Sequence, residues 1–182
     1  MKTIYKEGVL VLENDSYIIE YSNPLMVPFE EKIEDVLGDW IYFYYTIEII
    51  KKTIDGNKIV LYSRNTHDEP TLTFLYDDIR KLLEIAPQNY NKEKKVYVEE
   101  LSYEDGMINE DTYIIKKYKN DNSEFEDWYW MNISLYGSQE STGIGVTFSF
   151  IKEKEMEELY KEIGKFLTYT KNKSNIASNP LT

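Results

Sequence analysis

The sequence predicts an α+β fold built mainly on antiparallel strands, with helices packed on the sheet. Three observations carry that expectation. Short stretches alternate between apolar and polar residues, as in residues 40–50 and 128–137. Turn pairs such as Asp55-Gly56 and Asp105-Gly106 separate strand-like runs, because tight hairpins need residues that tolerate positive φ. Near the end, Met156, Leu159, Tyr160, Ile163, Phe166 and Leu167 fall on one helical stripe, predicting a long C-terminal helix over 153–168. Glu153, Glu155, Glu157 and Glu158 crowd its start, where the helix dipole favours negative charge.

Taken in order, residues 3–12 and 16–22 read as strands joined at Glu13-Asn14-Asp15. Residues 29–37 read as a short helix with Phe29, Ile33, Val36 and Leu37 on one side and Gly38 as its stop. The aromatic strand 40–52 and the strand 58–64 flank Asp55-Gly56, and 65–70 reads as a loop. Residues 71–76 alternate Leu72, Phe74 and Tyr76 and read as a strand, followed by a helix over 77–86 capped by Asp77 and ended by Pro87. Residues 88–95 are the best linker in the chain, and residues 96–103, 112–118, 128–136 and 145–151 complete a set of about seven to nine strands. This organisation divides the chain into an N-terminal half (1–87), a C-terminal half packed against it (88–169, or one domain over 1–169) and a flexible tail (170–182). The order strands-then-helix recurs in the two halves, while matching segments sit at disagreeing offsets. A degenerate internal duplication is therefore left open.

Composition excludes several chemistries. The absence of cysteine removes disulfides, thiol catalysis and thiolate metal sites, and fits a reducing cytoplasm. No apolar run approaches a membrane span or a secretory signal core, so no membrane association is expected. One histidine, His67, in a run read as a loop and with no serine motif elsewhere, points away from acid–base catalysis. No glycine pattern forms a phosphate cradle, and two arginines supply no polyanion clamp. No cofactor and no metal are expected. Acidic runs such as Asp121, Glu124, Glu126 and Asp127 lack calcium-loop spacing and read as solvated loop.

The net charge of −12 is spread over the chain, with 9 basic and 16 acidic residues in 1–90 and 12 and 17 in 91–182. Such a field repels phosphate backbones and attracts basic proteins, so nucleic acid is expected to be excluded and a basic protein partner favoured. The second clue is aromatic. Alternation sets Trp40, Tyr42, Tyr44, Thr46 and Glu48 opposite the apolar Ile41, Phe43, Tyr45, Ile47 and Ile49. It likewise sets Trp128, Trp130, Asn132, Ser134 and Tyr136 opposite Tyr129, Met131, Ile133 and Leu135. Tyrosine and tryptophan join large contact area to a polar handle, which suits interfaces.

Together these features lead to a non-enzymatic, cytoplasmic binding module. The expected function is a protein-neutralising partner of the immunity-protein or inhibitor type, with homodimerisation left open. The expected site is Tyr42, Tyr44, Trp128, Trp130, Asn132 and Tyr136 on one sheet face, rimmed by Glu126 and Asp127. The alternatives are a small-ligand domain with Trp128, Trp130, Tyr42 and Tyr44 lining a cleft, and a carboxylate hydrolase.

Overall fold

Among the described residues, the alternating stretches become nine strands in two antiparallel meanders, and each meander is followed by a helix. The computed structural model describes residues 1–26, 43–68, 71–84, 98–104, 110–117, 128–136 and 143–177. The first sheet contains β1 (Lys2–Lys6), β2 (Val9–Glu13), β3 (Tyr17–Met26), β4 (Phe43–Lys52) and β5 (Lys58–Asp68), in that spatial order. α1 (Thr71–Glu84) follows. The second sheet contains β6 (Val98–Glu104), β7 (Glu110–Lys117), β8 (Trp128–Tyr136) and β9 (Gly143–Lys152), before α2 (Glu153–Ala177). The expected α+β class, antiparallel pairing and long C-terminal helix are all present.

Local chemistry explains the turns. Glu7 and Gly8 both take positive φ, 49° and 83°, and fold residues 2–13 into a hairpin where one strand was expected. A side chain at Gly8 would come within 2.5 Å of the Tyr169 ring, so closeness as well as φ requires glycine there. Asn14 closes the next hairpin, its Oδ1 accepting from the amides of Ser16 and Tyr17 at 2.9 and 2.7 Å. In the turn after β4, Gly56 at φ 83° donates its amide to the Thr53 carbonyl at 3.0 Å.

Alternation assigns the inner faces correctly. Tyr45, Ile47 and Ile49 on β4 and Tyr129, Met131 and Ile133 on β8 are all buried. They join one core with Leu72, Leu75, Ile79 and Leu82 of α1 and Met156, Leu159, Ile163 and Phe166 of α2. The two helices touch each other. α1 packs on β6 and β7, while α2 reaches β1, β2 and β3 as well as β8 and β9. The halves therefore exchange helices across a shared core, and burial of this apolar area is the dominant stabilising term.

Two expectations change here. Residues 71–76 are helix, because Leu72, Leu75, Ile79 and Leu82 follow a 3-4-3 spacing that outweighs the short alternation of Leu72, Phe74 and Tyr76. The run read as a loop around His67 instead extends β5 to Asp68, with His67 opposite Tyr44. The helix expected over 29–37, the linker 88–95, and Tyr42, Glu126 and Asp127 lie outside the described residues.

α2 extends beyond its expected end to Ala177, and its start is held by Glu155. That carboxylate accepts the Lys152 amide at 2.8 Å and the Met1 amino group at 2.6 Å. Burial pushes the Glu155 pKa up, yet these two donors outweigh it and hold the group below the usual carboxylate value.

Candidate ring-stacking surface

With the aliphatic residues turned inward, Trp128, Trp130, Asn132 and Ser134 lie on the opposite face of β8, each partly exposed. Their neighbours on β9 are set by register: Trp128 faces Lys152, Asn132 faces Thr147 and Ser134 faces Gly145. Between these rows the pairing slips. Tyr129 pairs with Ile151 and Met131 with Phe148, so Ser149 and Phe150 together oppose Trp130. This β-bulge re-aims the side chains that follow it.

The bulge gives Phe150 an unusual backbone conformation for an exposed aromatic residue. Phe150 takes φ 55°, a left-handed conformation that costs a bulky L-residue about 1–2 kcal/mol. Its ring is 66% exposed, so this cost is not offset by burial in the core. The ring lies beside Trp128 with centroids 4.8 Å apart and planes tilted by 32°. Strict alternation would send Phe150 inward with Phe148. The bulge sends it out and buries Ile151 in its place. The adjacent pair Phe150-Ile151, which breaks the apolar-polar rhythm, is the only trace of this in the sequence.

Beside the rings runs a polar row. Asn132 donates from Nδ2 to Thr147 Oγ1 at 2.9 Å, and Ser134 Oγ donates to Asn132 Oδ1 at 2.5 Å. Gly145 adds no side chain to this row, where a Cβ would stand 3.3 Å from Ser134 Oγ. The surface thus combines ring faces with amide and hydroxyl groups, and the exposed Lys152 lies at the Trp128 end. It can stack flat rings and hydrogen-bond their edges.

The expected site is only partly assembled. Tyr44 is on β4 and Trp128 and Trp130 are on β8, so they belong to different sheets and share no face. Tyr44 is 48% exposed on the outer face of the first sheet, between Leu25 of β3, itself 55% exposed, and His67 of β5. Tyr136 ends β8, but its side chain is outside the described set. The ligand cleft expected from Trp128, Trp130, Tyr42 and Tyr44 is withdrawn, since strand order separates its two walls. Among the described residues, no group of three or more histidine, aspartate or glutamate side chains could hold a metal ion. No described helix is long and apolar enough to cross a membrane.

No family model matches the chain, and no curated protein matches it. Among the solved structures that resemble it distantly are the following three. WHY3 from Arabidopsis thaliana is 10% identical, with 93% of this chain and 92% of that chain covered and a TM-score of 0.43. WHY1 from Arabidopsis thaliana is 8% identical, with the same coverages and a TM-score of 0.42. The plant transcriptional regulator PBF-2 is 6% identical, with 98% and 87% covered and a TM-score of 0.43.

These neighbours correct the expected function. The one whose role is named is a transcriptional regulator, where the sequence had led to an immunity protein or inhibitor acting on a basic protein, with nucleic acid excluded. That function, that partner and that exclusion are withdrawn, and nothing further is drawn from so distant a likeness. The physical error lay in the charge argument. A net charge of −12 describes the whole surface and does not set the sign of one face. Glu126 and Asp127, which were to supply a local acidic rim, lie outside the described residues.

Proposed function

We propose that this chain is a non-enzymatic binding protein that stacks the unpaired bases of single-stranded nucleic acid on Trp128, Trp130 and Phe150. The observation that carries the reading is Phe150, an aromatic ring held outward in a left-handed backbone conformation. Glycine or asparagine would fit that backbone with less strain, so a large exposed ring there has a use other than folding. Stacking on such rings contributes about 1–3 kcal/mol per base and tolerates any base, because every base has a flat face. The Asn132–Thr147–Ser134 row would meet base edges, and Lys152 would lie near a phosphate.

The acidity of the chain shapes the expected behaviour. Proteins that hold nucleic acid through many lysines lose affinity steeply as salt rises, because binding releases counterions. Here the rings would supply most of the affinity against a repulsive overall field. Affinity for a short oligo(dT) should therefore change little with salt, or rise as repulsion is screened.

The test is quenching of intrinsic tryptophan fluorescence by oligo(dT), in the wild type and in Phe150→Gly. Saturable quenching is expected in the wild type, weakened about tenfold or more in the variant. Thermal stability of that variant should be unchanged or raised by up to about 1 kcal/mol, since the strain is relieved. Equal binding by Phe150→Gly overturns the reading, as does saturation by a neutral oligosaccharide and not by oligo(dT).

A further inference from the structure

Away from the second sheet's outer face, α2, α1 and β1 border an open groove of about 660 Å³ that the stacking surface does not involve. Its walls are two pairs of tyrosines. Tyr76 and Tyr160 stack with centroids 4.3 Å apart and planes 12° from parallel, and Tyr5 and Tyr169 meet at 6.3 Å with a tilt of 59°. Each pair leans on a glycine. A side chain at Gly164 would come within 3.1 Å of the Tyr76 ring, and one at Gly8 within 2.5 Å of the Tyr169 ring. The walls thus sit where the backbone is bare, which brings four phenol rings around one depression.

The charge of the lining is opposite to that of the chain. Lys161 and Lys165, one helical turn apart on α2, line the groove, and among the described residues no carboxylate does. Glu162 stands behind Lys165 and accepts its Nζ at 2.6 Å. Lys161 is exposed and forms no ion pair among the described residues. Asp77 and Arg80 lie near Tyr76 from the α1 side and pair with each other at 3.6 Å, so they add little net charge. Burial, and then the neighbouring Tyr160 hydroxyl, push the Tyr76 pKa up to about 12. Burial likewise raises that of Tyr5. Both phenols therefore keep their protons at neutral pH and remain hydrogen-bond donors.

We propose that this groove is a second binding site, for a small aromatic anion: one flat ring lying between the tyrosine pairs, with its phosphate, sulfonate or carboxylate at Lys161. The volume is within the range of small-molecule sites, about 300–1,000 Å³. Rings meeting the tyrosine faces explain the aromatic walls, and the lone pair of lysines in an acidic protein explains the sign of the ligand.

Isothermal titration calorimetry with phenyl phosphate tests this on the full chain, with p-cresol and inorganic phosphate as half-ligands. One-to-one binding of phenyl phosphate is expected, with each half-ligand about tenfold weaker or more. Lys161→Glu should weaken it about fivefold or more by reversing the charge at the anion. Thr168→Trp, an exposed position on the groove wall whose hydroxyl bonds the Gly164 carbonyl at 2.8 Å, should abolish it by filling the space. Phe150→Gly should leave it unchanged, which separates this site from the stacking surface. Should Thr168→Trp lose its cooperative melt, Lys161→Glu decides alone. The proposal is overturned by the absence of saturable heat, by p-cresol binding as tightly as phenyl phosphate, or by binding that Lys161→Glu leaves intact.

Discussion

The outer faces of the two sheets follow one sequence rule and come out differently. On the first sheet, Thr46 donates to Asn65 at 2.8 Å and lies 3.4 Å from the Asn23 amide, while Ser63 donates to Glu48 at 2.8 Å. Those side chains satisfy one another across β3, β4 and β5. On the second sheet, the polar row closes in the same way, but Trp128, Trp130 and Phe150 stand beside it with ring surface still exposed. Both strands alternate polar and apolar residues. The first face also exposes Tyr44 and Leu25, so what sets the second apart is the bulge in β9, which turns Phe150 outward beside Trp128. Polar side chains that satisfy one another contribute to stability, whereas an exposed ring on a strained backbone contributes little and is better explained by binding.

The largest test of that contrast removes what both faces depend on. Ile163 is fully buried on α2, in the core shared by both sheets. Ile163→Asp should cost roughly 3–5 kcal/mol through a buried unpaired charge and a lost apolar contact. Urea unfolding should show both halves melting together at a much lower midpoint.

Next, Trp130→Ala should weaken oligo(dT) binding by about 2 kcal/mol, roughly thirtyfold in Kd, while unfolding remains cooperative. Fluorescence titration checks the first point and thermal melting the second. A loss of several kcal/mol in stability with no separate binding defect would make the two faces alike after all.

A smaller effect is expected from the matching change on the first sheet. Thr46→Val removes the hydroxyl that bridges Asn23 and Asn65, costing about 1 kcal/mol of stability with no change in oligo(dT) affinity. Altered binding there would extend the site to the first sheet.

The smallest effect concerns pH. Lys52 bonds Glu13 at 3.0 Å and holds its carboxyl below the usual carboxylate range, a pull that burial only partly opposes. A depressed folded-state pKa adds stability above the unfolded value of about 4.3, and that stability is lost as pH falls through the folded value. The contribution is under about 1 kcal/mol, since both groups are partly solvated. Lys52→Met should therefore flatten the decline in stability between about pH 5 and 3, read by urea unfolding at each pH.

Much of the architecture was legible because it depends on short-range pattern. A period of two put Ile47, Ile49, Met131 and Ile133 inward, and the stripe from Met156 to Leu167 placed α2, since backbone geometry converts spacing directly into facing. Pattern failed where two periods compete. Residues 71–76 fit alternation over six positions, and only the longer spacing through Leu82 shows that they begin a helix. Which strands share a sheet was decided by the tertiary structure alone, because pairing depends on chain closure over long separations that no local signal records. That is why Tyr44 and Trp128, equivalent in their own strands, ended on different sheets. The outward turn of Phe150 was also a tertiary decision. Ile151 won the inner position beneath the helix, and the backbone took up the extra residue as a bulge.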